Sequence, residues 1–256
     1  MGLSNWAAGG ENALSATGIL SLFTKYKKEK MAWDNALDLG YGFLKSGSQG
    51  VRKNEDKIEF NSILGYKAVE KLYYSVLFNY KTQFTNGYKY PNDSVIVSRF
   101  NAPGYISLSI GLDYKPNNFF SVYLSPIGGR LTLVSDQALA DSGAYGVDPA
   151  QKDINNIIIK HGKRSRMEIG ATLSAKFQKD VFKNVNVMSK LSLFNNYTDK
   201  VIANRKNIDV NWEVLINIKA GKYLTTSIMT NLIYDQNTIA KTQFKEGIGV
   251  GLSYKF

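Results

Sequence analysis

"IDVNWEVLINIKA", residues 208–220, decides how this chain is read. Ile208, Val210, Trp212, Val214, Ile216 and Ile218 alternate with Asp209, Asn211, Glu213, Leu215, Asn217 and Lys219. Side chains of a strand point to opposite faces in turn, so the segment has one apolar and one polar face. "KIEFNSILGYKA" (57–68) repeats the pattern, with Ile58, Phe60, Leu64, Tyr66 and Ala68 opposed to Lys57, Glu59, Asn61 and Lys67. "EGIGVGLSYKF" (246–256) does so again: Ile248, Val250, Leu252, Tyr254 and Phe256 share one parity, and Gly or a polar residue fills the other.

Working outward, the same period marks strands near 12–25, 31–45, 57–68, 72–84, 105–115, 119–127, 165–178, 185–197, 208–220, 223–235 and 243–256. Most exceed the ~5–6 residues common in soluble sheets. No segment has the period of a long amphipathic helix; "SDQALADSGAYG" (135–146) reads as one short helical turn. The connections alternate in length. Those at 26–30, 69–71, 116–118, 179–184 and 221–222 are tight, and those at 46–56, 85–104, 128–164, 198–207 and 236–242 are long. The five prolines, at 91, 103, 116, 126 and 149, fall in or beside loops on this reading. A meander with short turns at one end and long loops at the other is the layout of an outer-membrane barrel. A soluble sandwich has Greek-key crossovers and no reason to segregate its loops.

Alternation alone does not say which face is wet. Three features favour lipid outside. The strands reach the ~9–11 residues needed to cross the hydrocarbon when tilted. Aromatic residues crowd the strand ends, among them Trp33, Tyr66, Tyr74, Tyr114, Tyr197 and Tyr234, as interfacial girdles require. The polar face mixes both charge signs with Ser, Thr, Asn and Gly, which suits a lumen. The expected fold is therefore all-β: an antiparallel up-and-down transmembrane β-barrel spanning residues 1–256 as one domain, with about eleven visible strands. The chain carries no run of ~18 apolar residues, a test blind to such barrels.

A closed barrel makes a terminal strand structural, because an open edge in lipid leaves backbone groups unpaired. An alternating last strand ending in an aromatic is similar to the C-terminal signal of bacterial outer-membrane proteins, and Phe256, Tyr254 and Leu252 match it. Strand parity adds a second expectation. Counted back from a periplasmic C-terminus, the strand at 12–25 runs inward from the cell surface, whereas bacterial single-chain barrels have an even strand count. One further N-terminal strand and a signal peptide are expected beyond this sequence, for a native barrel of about twelve strands.

Composition closes several functional classes. The chain has no cysteine and a single histidine, His161, which excludes disulfides, thiolate metal sites and multi-histidine centres. "GIGVG" (247–251) lies inside a strand with no helix after it, so it is not a dinucleotide fingerprint, and no cofactor is expected. The net charge of +11 fits an anionic lipid surface or an acidic partner. Nucleic acid is not an expected partner, since the basic residues are scattered and no binding motif is present.

Candidate residues fall into three groups. Lys160, Lys163, Arg164 and Arg166 follow the longest loop and form an expected outer-rim patch for lipopolysaccharide phosphates, with a solvated cluster as the alternative. Lumen charges are Asp38, Glu59, Asp113, Glu168, Asp209 and Glu213, and Lys57, Lys81, Lys176, Lys190 and Lys219. Asp209 and Glu213 are roughly 13 Å apart along one strand, too far for a shared-proton or glycosidase pair. Cross-strand ion pairs filling a narrow lumen are the preferred reading, and a selective pore the alternative. His161 in "KHGKRSR" has no acidic orienter nearby in sequence, so a solvated loop histidine is expected rather than a lipase base. Lys27, Lys28 and Lys30 mark a basic periplasmic turn, and Glu246 breaks the apolar parity of its strand.

Several stretches of the chain resemble a Bacteroidota family of outer-membrane barrels known only as a domain of unknown function. They include "LSNWAAGGEN" (3–12), "WDNALDLGYG" (33–42), "SRFNAPGYISLSIGLDY" (98–114), "LSPIGGRLTLVSDQALADSGAYGVDP" (124–149), "RMEIGATLSAKF" (166–177), "LSLFNNY" (191–197), "DVNWEVLINIKAGKYL" (209–224) and "FKEGIGVGLSYKF" (244–256). The resemblance runs along nearly the whole chain. It implies a barrel in the outer membrane of a Gram-negative bacterium and brings no established activity and no catalytic residues to carry over; lipid, from the outward apolar face, and the barrel assembly machinery, from the C-terminal signal, are the expected partners. The expected role is a non-enzymatic structural or interaction subunit of the envelope, joined in places by another envelope protein. The alternatives are a porin-like small-solute channel and, more remotely, a lipid hydrolase.

Overall fold

The structure, a computed structural model, describes residues 13–47, 50–221 and 224–252. Eleven long strands follow one another: β1 (Ala13–Lys28), β2 (Met31–Ser46), β3 (Arg52–Val69), β4 (Leu72–Thr82), β5 (Gly104–Tyr114), β6 (Phe120–Leu133), β7 (Ser165–Phe182), β8 (Val185–Asn196), β9 (Asp209–Ala220), β10 (Leu224–Asp235) and β11 (Ile239–Leu252). Each pairs antiparallel with the next, in a single sheet whose spatial order is the chain order. This is the all-β meander expected from the period of two.

The wetting is inverted. Ser109 and Ile110 are neighbours on β5, yet Ser109 is 4% exposed and Ile110 65%. The buried side chains include Ser75, Asp113, Ser125, Thr132 and Glu168, whereas Leu108, Leu124, Met167, Phe244 and Ile248 face out. A water-soluble sheet protein buries the opposite set. Outward polar groups are satisfied locally: the Trp33 and Trp212 indole N–H groups donate to Ser62 Oγ (2.9 Å) and Ser189 Oγ (3.0 Å). Tyr66 and Tyr74 pair across β3 and β4 beside the short turns, both exposed.

Turns at one end are two to five residues long, and the longest loops, 83–103, 134–164 and 197–208, share the other end. Three loops are shorter than the sequence suggests. The charges of "KNEDK" continue β3, because Lys53 and Asp56 pair at 2.8 Å and the ladder to β2 persists through Arg52. The stretch 239–242 likewise belongs to β11, with a register shift between its contacts to Ile233 and Asp235. "IGGRLTL" (127–133) continues β6 rather than opening a loop.

Pro126 corrects the placing of every proline in or beside a loop: it sits inside β6, at a bulge against both β5 and β7. Proline cannot donate to a ladder. The Ser125 hydroxyl lies 2.8 Å from the Ile110 carbonyl and 2.7 Å from that of Ile127, and supplies the missing donor. Two residues on, Gly128 lies against Ser109, where an added Cβ would come within 2.6 Å of the serine Cβ.

The sheet curls until opposite walls meet through side chains. Lys245 of β11 reaches Glu55 of β3 at 2.6 Å. With eleven strands alternating in direction, β1 and β11 run the same way, and no ladder joins them among the described residues. Both faces of β1 are exposed.

Candidate functional site

The candidate site is the polar interior. Three ion-pair networks cross it, each built from residues that strand parity turns inward.

The first joins β3 to β9. Lys57 Nζ lies 2.7 Å from Glu59 and 3.4 Å from Glu213, and Lys81 lies 3.8 Å from Glu213. Asn61 and Asn79 donate to Glu59 Oε1 at 3.3 and 3.2 Å. Lys190 of β8 pairs with Asp38 of β2 at 3.2 Å. The second network centres on Glu168, 2% exposed. Arg130 donates to it twice, at 2.9 and 3.2 Å, and to Asp209 at 2.6 Å. Arg166 lies 3.1 Å from Glu168, Asn196 donates to it at 2.7 Å, and the Phe194 ring covers the Arg130 guanidinium at 4.2 Å. At the short-turn end, Lys115 holds Asp113 (3.1 Å) and Asp34 (2.7 Å). A buried charge is tolerated only with partners and hydrogen bonds, and most of these have both.

The structure thus gathers Lys57, Glu59, Lys81 and Glu213 into one network, with the Asp38–Lys190 pair on the same cavity, and Glu168 and Asp209 into another. Asp113 belongs to the third. Lys176 faces the same interior but takes part in no ion pair within 4.0 Å among the described residues. Lys219, of the same parity as Glu213, lies exposed at the turn end of β9, opposite the buried Thr225 of β10. Sequence reasoning missed Arg130, Lys115 and Asp34. Asp34 shares the parity of Asp38, and Lys115, the last residue of the strand read at 105–115, shares that of Asp113, so both were legible; Arg130 was hidden by being read as loop.

Two contiguous cavities lie between the networks. One, of about 220 Å³, adjoins Asp38, Lys57, Met229 and Lys245; the other, of about 170 Å³, adjoins Asn79, Ser109, Ser174, Lys176 and Asn211. Lys81, Lys190 and Glu213 line both.

The rim patch divides. Lys160, Lys163 and Arg164 are exposed, and Lys163 pairs with Asp148 at 3.1 Å. Arg166 leaves the patch: as the second residue of β7, parity turns it inward onto Glu168. Lys200, from the neighbouring loop, also pairs with Asp148, and these two lysines hold the Asp148 carboxyl below its ordinary pKa. Loop 134–164 forms a short helix, α1 (Gln137–Asp141), capped by Asp136, whose carboxylate accepts from the Leu139 N–H at 2.9 Å. It packs on loop 83–103 around Ala102, Val134, Ala140 and Val147, and the Tyr145 hydroxyl donates to the Val97 carbonyl at 2.6 Å.

His161 does have an acidic partner, one that sequence distance concealed: Asp141 Oδ2 lies 2.9 Å from its Nδ1. Asp141 also accepts the Gly162 N–H at 2.7 Å, and that bond, followed by His161, lowers its carboxyl pKa. Among the described residues no hydroxyl hydrogen-bonds the other ring nitrogen. Among the same residues no group of three metal-ligating side chains occurs. Lys27, Lys28 and Lys30 are exposed at the β1–β2 turn. Glu246 is exposed on the outward face of β11, between Phe244 and Ile248. Phe256 and Tyr254 lie outside the described residues, as does the side chain of Leu252.

Residues 1–88 match a family described as protein of unknown function (DUF3078), a shorter span than the resemblance drawn from the sequence. No curated protein matches. Among solved structures, the chain is similar to the NanC porin at 8% identity, with 95% of this chain and 98% of that one covered and a TM-score of 0.39. It is also similar to the COG4313 outer membrane channel from Pseudomonas putida F1 at 14% identity, with 94% and 82% covered and a TM-score of 0.41.

Proposed function

We propose that this protein is an outer-membrane β-barrel of a Gram-negative envelope, a structural or interaction barrel with its interior closed by ion pairs. Inverted wetting supports the location: large apolar side chains ring the outside and carboxylates are buried within. The closed interior rests on one observation above the others, the Lys57–Glu213 contact between distant strands. On this reading the outward face meets lipid, and Lys160 and Arg164 at the rim meet lipopolysaccharide phosphates. The assembly machinery and another envelope protein complete the set of partners. Planar-bilayer recording of the full chain tests closure: a silent membrane is expected, and steady unitary steps would overturn it. Membership in the envelope is tested separately, by recovery in the outer-membrane fraction and aggregation without detergent.

The second reading, a small-solute channel, is favoured by the two contiguous polar cavities, which share Lys81, Lys190 and Glu213.

In lipid, the seam between β1 and β11 must also be closed. Because these strands run the same way, one strand antiparallel to both completes the cylinder at about twelve strands. The chain has no cysteine, so engineered pairs report cleanly. With an intervening strand, cysteines of like parity placed on β1 and β11 are separated by roughly 9–10 Å, beyond disulfide reach. No cross-link is expected from any pair scanned along the two strands; efficient oxidation of one would exclude the extra strand.

A further inference from the structure

The ammonium groups of the interior are not equally partnered. Lys57, Lys81, Lys176 and Lys190 stand around the two cavities with the carboxylates Asp38, Glu59 and Glu213; Glu55, on the same lining, takes Lys245, and Asp56 takes Lys53. All three carboxylates are already engaged: Glu59 by Lys57, Glu213 by Lys57 and Lys81, and Asp38 by Lys190. Asp113, toward the turn end, shares Lys115 with Asp34. Lys176 has no carboxylate within 4.0 Å among the described residues.

Its position makes this costly. Lys176 of β7 stands directly opposite Lys190 of β8, so two like charges share one face of adjacent strands. Such a pair is destabilising unless something negative lies near both. The space beside them is the cavity of about 170 Å³, lined by hydroxyls and amides including Ser107, Ser109, Ser174 and Asn211. A cavity of ~150 Å³ already admits a benzene-sized guest. Room, hydrogen-bond donors and an unneutralised cation therefore coincide.

We propose that this chamber is a binding site for a small oxyanion, a carboxylate or phosphate group, held between Lys176 and Lys190 with the neighbouring serine hydroxyls as donors. The site needs only the curled sheet, so it stands whether the barrel is closed or conducting. Arg130 is not part of it, since Glu168 and Asp209 occupy its donors.

The test is saturation-transfer NMR on the full chain in a zwitterionic detergent, with acetate as probe and methylammonium as a cation of the same size. Saturable transfer to acetate and none to methylammonium is expected. Inorganic phosphate should compete with acetate, which identifies the site as one for oxyanions in general; failure to compete restricts it to carboxylates and overturns the phosphate half of the assignment. Lys176→Gln should weaken acetate binding at least tenfold, Lys176→Arg should retain it, and Lys219→Gln, at the exposed turn end, should leave it unchanged. Equal transfer to both probes, or full binding by a folded Lys176→Gln variant, overturns the proposal. If Lys176→Gln fails to fold, Lys190→Gln takes its place with the same expected loss, and the acetate–methylammonium contrast in the unsubstituted protein decides alone.

Discussion

Lys57 and Glu213 are 156 positions apart in sequence and meet at 3.4 Å across the interior, one on β3 and the other on β9. Five strands separate β3 from β9 along the sheet. The pair therefore ties opposite walls rather than neighbours. Replacing both residues with alanine should open the first network. The double variant is expected to show discrete conductance steps in planar bilayers where the parent is silent. A double-mutant cycle on unfolding should give a coupling near 1 kcal/mol, the scale for residues in one charged network. A silent double variant with no coupling would mean that the contact closes nothing.

Glu168 concentrates more charge than any other buried residue. It accepts from Arg130 and Asn196 and faces Arg166. Glu168→Ala leaves Arg166 without a carboxylate and Arg130 with Asp209 alone, and removing one partner of a buried pair costs about 3–5 kcal/mol. Urea unfolding in detergent micelles should show a loss of that order. Arg166→Met with Glu168→Leu should lose far less, because Arg130 keeps Asp209 and no unpaired charge remains.

Glu246 stands on the outward face of β11 between two exposed apolar residues, in line with Phe244 and Ile248. A carboxylate on the lipid face is unfavourable, although less so than Lys or Arg, which cost roughly 2–4 kcal/mol at the midplane. Glu246→Leu is expected to stabilise the folded protein in bilayers by about 1 kcal/mol. Lower stability in lipid would indicate that this face meets something polar.

Loop 134–164 carries an acid-sensitive clasp. Asp141 is lowered by the Gly162 amide and then by His161, and Asp148 by Lys200 and Lys163. A carboxyl whose folded pKa is depressed contributes stability that is complete above its unfolded pKa, near 4 for aspartate. That stability is lost as pH falls through the folded value. Amide exchange at Gly162 should therefore be protected at pH 6 and lose protection below about pH 4. Asp141→Asn should remove the pH dependence, and unchanged exchange between the two pH values would contradict the clasp.

The number of strands, their order and the inward parity of most charges were legible in the sequence, because a period of two in side-chain polarity is a local property of an extended backbone. "IDVNWEVLINIKA" announces Glu213 as inward without any knowledge of its partner. The same locality explains the errors. "KNEDK" and "IGGRLTL" look like loops residue by residue, and only the ladders to neighbouring strands make them strand. Arg130 stayed hidden for that reason, whereas Arg166 reads as rim from its basic neighbours although it lies in the strand at 165–178 and shares the parity of Glu168.

What only the tertiary structure decided is which charges meet. His161 acquires Asp141 from twenty residues upstream, Lys57 acquires Glu213 from the far wall, and Lys176 acquires no carboxylate. Contacts of this kind depend on how far the sheet curls and where its strands come to face one another. Curl and facing are properties of the whole ladder, set by bulges such as that at Pro126 and by the register of every strand pair. No single segment encodes them.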